Sequence, residues 1–100
     1  MTIYLKVHRS YRSVVAICDS ELIGKKFEEG KRQLYLRENF YQGDLLSEEE
    51  TINQIRKQAM EDSTFNIVGE KSTEAAIKAG VITKESIDKI NGVPFALTLI

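Results

Sequence analysis

Period-two alternation opens the chain. Ile3, Leu5 and Val7 are separated by Tyr4, Lys6 and His8, the signature of a strand with one wet face. Arg9-Ser10-Tyr11-Arg12 reads as a turn, and Ser13 to Cys18 is apolar on both faces, as a central strand is. Together they predict an N-terminal hairpin with a basic, aromatic tip. From Asp19 to Gly30 the pattern loosens. Leu22, Ile23 and Phe27 have a crude helical spacing that Gly24 interrupts and Gly30 ends, which predicts a short turn or helix. Gln33 to Arg37 alternates again with Leu34 and Leu36 inward, and Asn39 to Asp44, containing Gly43, reads as a loop.

The clearest element begins at Ser47. Ser47-Glu48-Glu49-Glu50 is a capping box, its three acids suit the positive end of a helix dipole, and Ile52, Ile55, Ala59 and Met60 form one apolar stripe. The pattern predicts a helix to about Asp62. Phe65 to Val68 is a short apolar run. Ala75, Ala76 and Ala79 favour a second helix that Gly80 stops, and their small side chains allow close packing on a sheet. Thr83 to Ile90 fits either a short helix capped by Thr83 or a strand turning at Asn91-Gly92. Val93 to Ile100 is a final strand, and Pro94 near its start points to a sheet edge. The sum is α+β: a small mixed or antiparallel sheet of four to five strands, with two main helices packed on one face.

Length and composition narrow the class. One hundred residues, 42% hydrophobic and 29% charged, make residues 1–100 one globular domain with a single modest core. No apolar run approaches the ~20 residues of a membrane span, and Met1 to Lys6 has no signal-peptide pattern. The single cysteine excludes an internal disulfide and a Cys-based zinc cluster, which points to a reducing cytoplasm. The net charge of −1 hides an asymmetry: residues 1–42 carry eight Lys/Arg against five acids, and residues 43–63 two against six. All four tyrosines lie in the basic stretch. Cations for phosphates interleaved with rings for unpaired bases are what a nucleic-acid surface needs, though strand tyrosines also pack on sheets.

Few residues offer catalytic chemistry. His8 has no nominated carboxylate or thiol partner, and Cys18 ends a strand of buried character. Gly24-Lys25-Lys26 falls short of a phosphate loop, because Asp19 and Lys26 stand where that pattern needs Gly and Ser or Thr. Neither a metal site nor a bound cofactor is expected, and no catalytic residue is assigned. Val68-Gly69-Glu70 holds more interest: a strand, a glycine and a helix start leave backbone N–H groups free beside a helix dipole. With Asp19, Lys25 and Asn66, Gly69 and Glu70 make a candidate anion or ligand site.

Several blocks together resemble a known family. Tyr4-Leu5-Lys6-Val7-His8-Arg9 and Val15-Ala16-Ile17-Cys18-Asp19 precede Glu21-Leu22-Ile23-Gly24-Lys25-Lys26-Phe27-Glu28-Glu29-Gly30. Phe40-Tyr41-Gln42-Gly43, Asn66-Ile67-Val68-Gly69-Glu70 and Gly92-Val93-Pro94 follow. In that order they resemble the small archaeal family known as domain of unknown function number four hundred and twenty-four, over nearly the whole chain. The resemblance implies an archaeal cytoplasmic protein of this α+β type that keeps company with the translation apparatus. One departure stands out. The family is expected to read Gly-Val-Pro-His-Ala-Gln where this chain has Gly92-Val93-Pro94-Phe95-Ala96-Leu97, which argues against an essential acid–base role there.

The favoured function is a non-enzymatic module binding RNA or ribosomal particles. Lys6, His8, Arg9, Tyr11, Arg12, Lys25, Lys26 and Tyr41 are its candidate contacts. A second expectation is a small nucleotide- or phosphorylated-metabolite-binding protein or enzyme completed by a homodimer around Asp19, Lys25 and the Asn66–Glu70 junction. A third is an assembly module using the apolar tail Phe95, Leu97, Leu99 and Ile100. A monomer or homodimer without membrane attachment is expected throughout.

Overall fold

The structure, a computed structural model, describes residues 1–98. The N-terminal hairpin forms as the alternation predicts: β1 (Ile3–His8) pairs antiparallel with β2 (Val14–Asp19), from Ile3 opposite Asp19 to His8 opposite Val14. After a 3-10 turn at Ser20–Leu22, a two-stranded ribbon of β3 (Lys26–Glu29) and β4 (Arg32–Tyr35) stands apart from the main sheet. A one-turn helix α1 (Glu38–Tyr41) and the short strand β5 (Asp44–Leu46) follow. Next come α2 (Glu48–Met60), β6 (Thr64–Val68), α3 (Glu70–Ala79), a 3-10 turn at Lys84–Ser86, β7 (Asp88–Ile90) and β8 (Val93–Thr98). The main sheet has the order β5-β1-β2-β6-β8-β7, with only β2 and β6 parallel.

The fold class is therefore α+β, with a main sheet of six strands rather than four or five. The unforeseen member, β5, has three residues, too few to display a period of two, and the equally short β7 is expected only as one of two alternatives. The same brevity hid α1, which begins at Glu38 and runs into the expected loop at Asn39–Asp44; the Asp19–Gly30 stretch holds a short turn as expected, of 3-10 form at Ser20–Leu22, followed by the unexpected β3. For residues 83–90 both expectations are realised in part: Thr83 precedes a 3-10 turn, and β7 then turns through Asn91 (φ 49°) and Gly92 (φ 80°) into β8. Two consecutive positive φ values are what a tight two-residue hairpin requires. Of the final strand, Leu99 and Ile100 lie outside the described residues.

Pro94 corrects a second expectation. It lies in β8 between β6 and β7, not at an edge. Its carbonyl accepts from the Gly69 N–H at 2.8 Å, so the side that lacks an N–H faces the point where β6 has ended at Val68. A proline at the first residues of a strand costs no ladder bond there.

Both faces of the sheet are covered. On the first, α2 and α3 pack over Ile3, Leu5, Val15, Ile17, Phe65 and Ile67. The buried Ala75 and Ala76 let α3 approach the sheet closely, as their size predicts. The capping box forms in full: Ser47 Oγ accepts from Glu50 N–H at 3.1 Å and Glu50 Oε1 from Ser47 N–H at 2.9 Å. Gly80 ends α3 in the left-handed conformation (φ 86°). On the second face, residues 20–43 lie over Ala16, Cys18 and Val68 through Leu36, Tyr41 and their neighbours. The β3–β4 ribbon is tied to β7 and its turn. Arg32 donates to Asp88 at 2.8 Å and to the Lys89 carbonyl at 2.5 Å, and Asn91 N–H donates to Glu29 at 2.7 Å.

Candidate functional site

At the ends of β2 and β6 the parallel pairing places Asp19 beside the Val68-Gly69-Glu70 junction, 3% exposed. Its carboxylate accepts from Lys71 N–H at 3.1 Å, Ser72 N–H at 2.8 Å and Ser72 Oγ at 2.7 Å. Asp19 is thus the N-terminal cap of α3, supplied from another strand. The helix has no side-chain cap of its own because position 69 is glycine. That glycine is required twice: its φ is 111°, and a Cβ there would stand 2.3 Å from the Asp19 carboxyl carbon.

The candidate anion site is therefore filled by the chain's own anion. Asp19, Gly69 and Glu70 do come together around a shallow hollow of about 220 Å³, with Glu21, Leu22 and Pro94. Lys25 and Asn66 do not join them. Lys25 follows the 3-10 turn, with its N–H donating to the Leu22 carbonyl, and Asn66 faces a different cleft on the second face. Glu70 and Glu21 add negative charge to the hollow, and Lys71 pairs with Glu21 at 3.6 Å.

The candidate nucleic-acid residues separate into groups. Residues 9–13 form the tip at one end of β1 and β2, whereas Lys25 and Lys26 follow the turn that leaves the other end. Six strand residues lie between, roughly 20 Å. No single patch unites them, a separation that one-dimensional charge counting does not reveal. Lys26 pairs with Glu28 at 3.8 Å.

Lys6 and His8 hold α1 in place. Lys6 Nζ donates to the Asn39 carbonyl and His8 Nε2 to the Phe40 carbonyl, each at 2.8 Å. Because a carbonyl only accepts, His8 carries its proton on Nε2. Its ring stacks on Phe40, with centroids 4.5 Å apart and 13° between planes. Tyr41 is buried in the second core and is not an exposed stacking ring. What remains at the tip is Tyr11, fully exposed at 108%, between Arg9 and Arg12. Arg9 reaches Glu61 at 3.7 Å across solvent, and Tyr11 and Arg12 line a shallow concavity with Glu61 and Asp62.

Cys18 is buried and inert. Burial first, then the charge of Asp19, pushes its thiol up to about 12, and Sγ donates to the Asp19 carbonyl. The Tyr41 phenol is likewise pushed up to about 12 by burial, with Cys18 adding. Among the described residues no group of three or more His, Cys, Asp and Glu is arranged to hold a metal, and no helix is long and apolar enough to cross a membrane.

One feature had no signal in the sequence. On the second face a cleft of about 250 Å³ opens between Leu34, Tyr41, Asn66, Phe95 and Leu97. Strand register aligns Ala16, Asn66 and Leu97 in a row across the sheet. Leu97 is 59% exposed, and among the described residues the Asn66 side-chain amide has no hydrogen-bond partner.

The fold and these placements define a small α+β protein whose sheet is sandwiched between two helices and a long strand-to-strand excursion. The chain belongs to the family described as "Protein of unknown function (DUF424)", whose model matches residues 8–99. It is similar in structure to an uncharacterized conserved protein from Methanopyrus kandleri, itself archaeal. That crystal structure is 25% identical, with a TM-score of 0.89, and the match covers 98% of this chain and 90% of that one. No curated protein matches the chain.

Proposed function

We propose that this protein is a non-enzymatic module that binds RNA or a ribonucleoprotein through the tip of its β1–β2 hairpin. The observation that carries the proposal is Tyr11, a fully exposed ring set between Arg9 and Arg12. An aromatic side chain in water at a loop tip gains nothing from the fold. Stacked on an unpaired base it gains about 1–3 kcal/mol. The Arg9–Glu61 pair is exposed at both ends, so a phosphate displaces Glu61 at little cost. Support also comes from the groups an enzyme would use: Asp19 caps α3, His8 anchors α1 and Cys18 is buried with a raised pKa.

Gradient sedimentation of a lysate of the native host tests this, with and without RNase, at low and moderate salt. Migration with RNA-containing particles that is lost on RNase or salt treatment is expected, because phosphate contacts release counterions. Tyr11→Ala combined with Arg9→Ala should abolish it. Migration at the size of the free protein under every condition refutes the proposal.

A further inference from the structure

The cleft on the second face has three properties that together specify an occupant. It is small: about 250 Å³ lies below the roughly 300–1,000 Å³ of sites that enclose drug-sized ligands. Its walls are largely apolar, made by Leu34, Phe95 and Leu97 together with Tyr41. Among the described residues, its polar side chains are the Asn66 amide, a donor and an acceptor side by side, and the phenol of Tyr41. Among the described residues no carboxylate lines it, so none of them repels a phosphate-bearing ligand.

The geometry points to a site for a single adenine base, lying between the apolar walls with its polar edge on Asn66. An asparagine amide pairs with adenine twice, accepting from the N6 amino group and donating to the adjacent ring nitrogen. Adenine is the base this cleft suits. It carries one exocyclic polar group, whereas guanine brings O6, N1–H and the N2 amino group, three groups against one amide and one hydroxyl in an otherwise apolar setting. The cytosine and uracil rings are smaller and each keeps a carbonyl that would lie against Leu or Phe. The base arrives either as a free nucleoside or nucleotide, or as an unpaired residue of an RNA, and the chemistry of recognition is the same.

Titration of the 15N-labelled full chain decides between these sources and tests the site itself. Adenosine, guanosine, AMP and ten-residue oligo(A) and oligo(U) are added in turn. The Asn66 side-chain amide and the Leu97 backbone amide should shift with adenine-bearing probes, and guanosine should bind more weakly. Asn66→Ala should weaken adenine binding roughly tenfold, the loss of one bidentate contact. Leu97→Lys at the exposed lip, which leaves the core untouched, should block the cleft. Shifts with adenosine or AMP identify a free ligand, and shifts with oligo(A) alone identify an RNA base. Silence of both amides with every adenine probe overturns the proposal, as does an Asn66→Ala protein that titrates like the parent.

Discussion

Replacing Asp19 by alanine removes the cap of α3 and nothing else of that helix. The carboxylate accepts two backbone N–H bonds and one hydroxyl bond, and it is buried. Hydrogen bonds to a charged group contribute about 1.5–3 kcal/mol each, but these three share one carboxylate and are not additive. The Ser72 hydroxyl can turn to other acceptors, and water reaches part of the exposed helix end. A net loss of about 2–4 kcal/mol is expected, out of a total of about 5–15 kcal/mol for a domain this size. At about 4–8 °C per kcal/mol, the melting temperature should fall by about 8–32 °C. Urea unfolding followed by far-UV circular dichroism, at constant slope, measures the change. Gly69→Ala gives an independent handle. Its Cβ would collide with the Asp19 carboxyl, so its cost should drop sharply in the Asp19→Ala background, leaving only the strain of a positive φ. If Asp19→Ala costs under about 1 kcal/mol, or Gly69→Ala costs the same in both backgrounds, the cap assignment is wrong.

Other outcomes follow from the same geometry. Cys18 and Tyr41 stay protonated in the fold up to about pH 12, while the unfolded thiol and phenol ionise near 9 and 10. Their stabilisation is therefore complete below pH 9 and drains away as pH rises toward 12, which alkaline unfolding by circular dichroism should show. Tyr41→Phe should make that transition shallower. The native Cys18 thiol should resist a disulfide reagent at pH 8 and react once urea unfolds the chain. Ser47→Ala breaks the capping box and should cost about 1 kcal/mol by thermal melting. The Ser47 backbone N–H first, and its side chain second, hold the Glu50 carboxyl below its ordinary value, so the parent should lose stability as pH falls through that depressed value; the variant keeps the backbone bond and should lose only somewhat less. Ala76→Leu forces a larger side chain between α3 and the sheet and should destabilise by about 1–3 kcal/mol, whereas the same change at the partly exposed Ala79 should cost less.

What was legible in the sequence depended on length. The long elements declared themselves, because α2 runs for thirteen residues with a capping box and β1 and β2 for six with clear periods. The three-residue β5 and the four-residue α1 did not, since neither spans enough residues to show a repeat, and β7 was suggested only by the Asn91-Gly92 turn that follows it. The site was half visible. The Asp19 and Gly69 blocks stood out as a place where a strand end meets a helix start, and they do meet. What no local pattern shows is that an anion fifty residues away in sequence already satisfies those donors. Pro94 misled for a related reason, because whether a missing N–H matters depends on where the neighbouring strand stops.

Polar residues near strand ends attract chemical explanations, and in this fold most are engaged in structure. Lys6 and His8 hold two carbonyls of α1, Asp19 holds two N–H groups of α3, and Arg32 holds a carbonyl of the edge strand β7. A small protein with short helices has many unpaired backbone groups, and its side chains are drawn to them first. The residues that escape this demand are the informative ones, Tyr11 at the tip and Asn66 in the cleft. They lie apart in the fold: Tyr11 stands beside Glu61 and Asp62 at the end of α2, whereas Asn66 opens onto the second face, between the sheet and the excursion of residues 20–43. The hairpin tip and the adenine site are therefore two independent inferences, and the failure of either leaves the other standing.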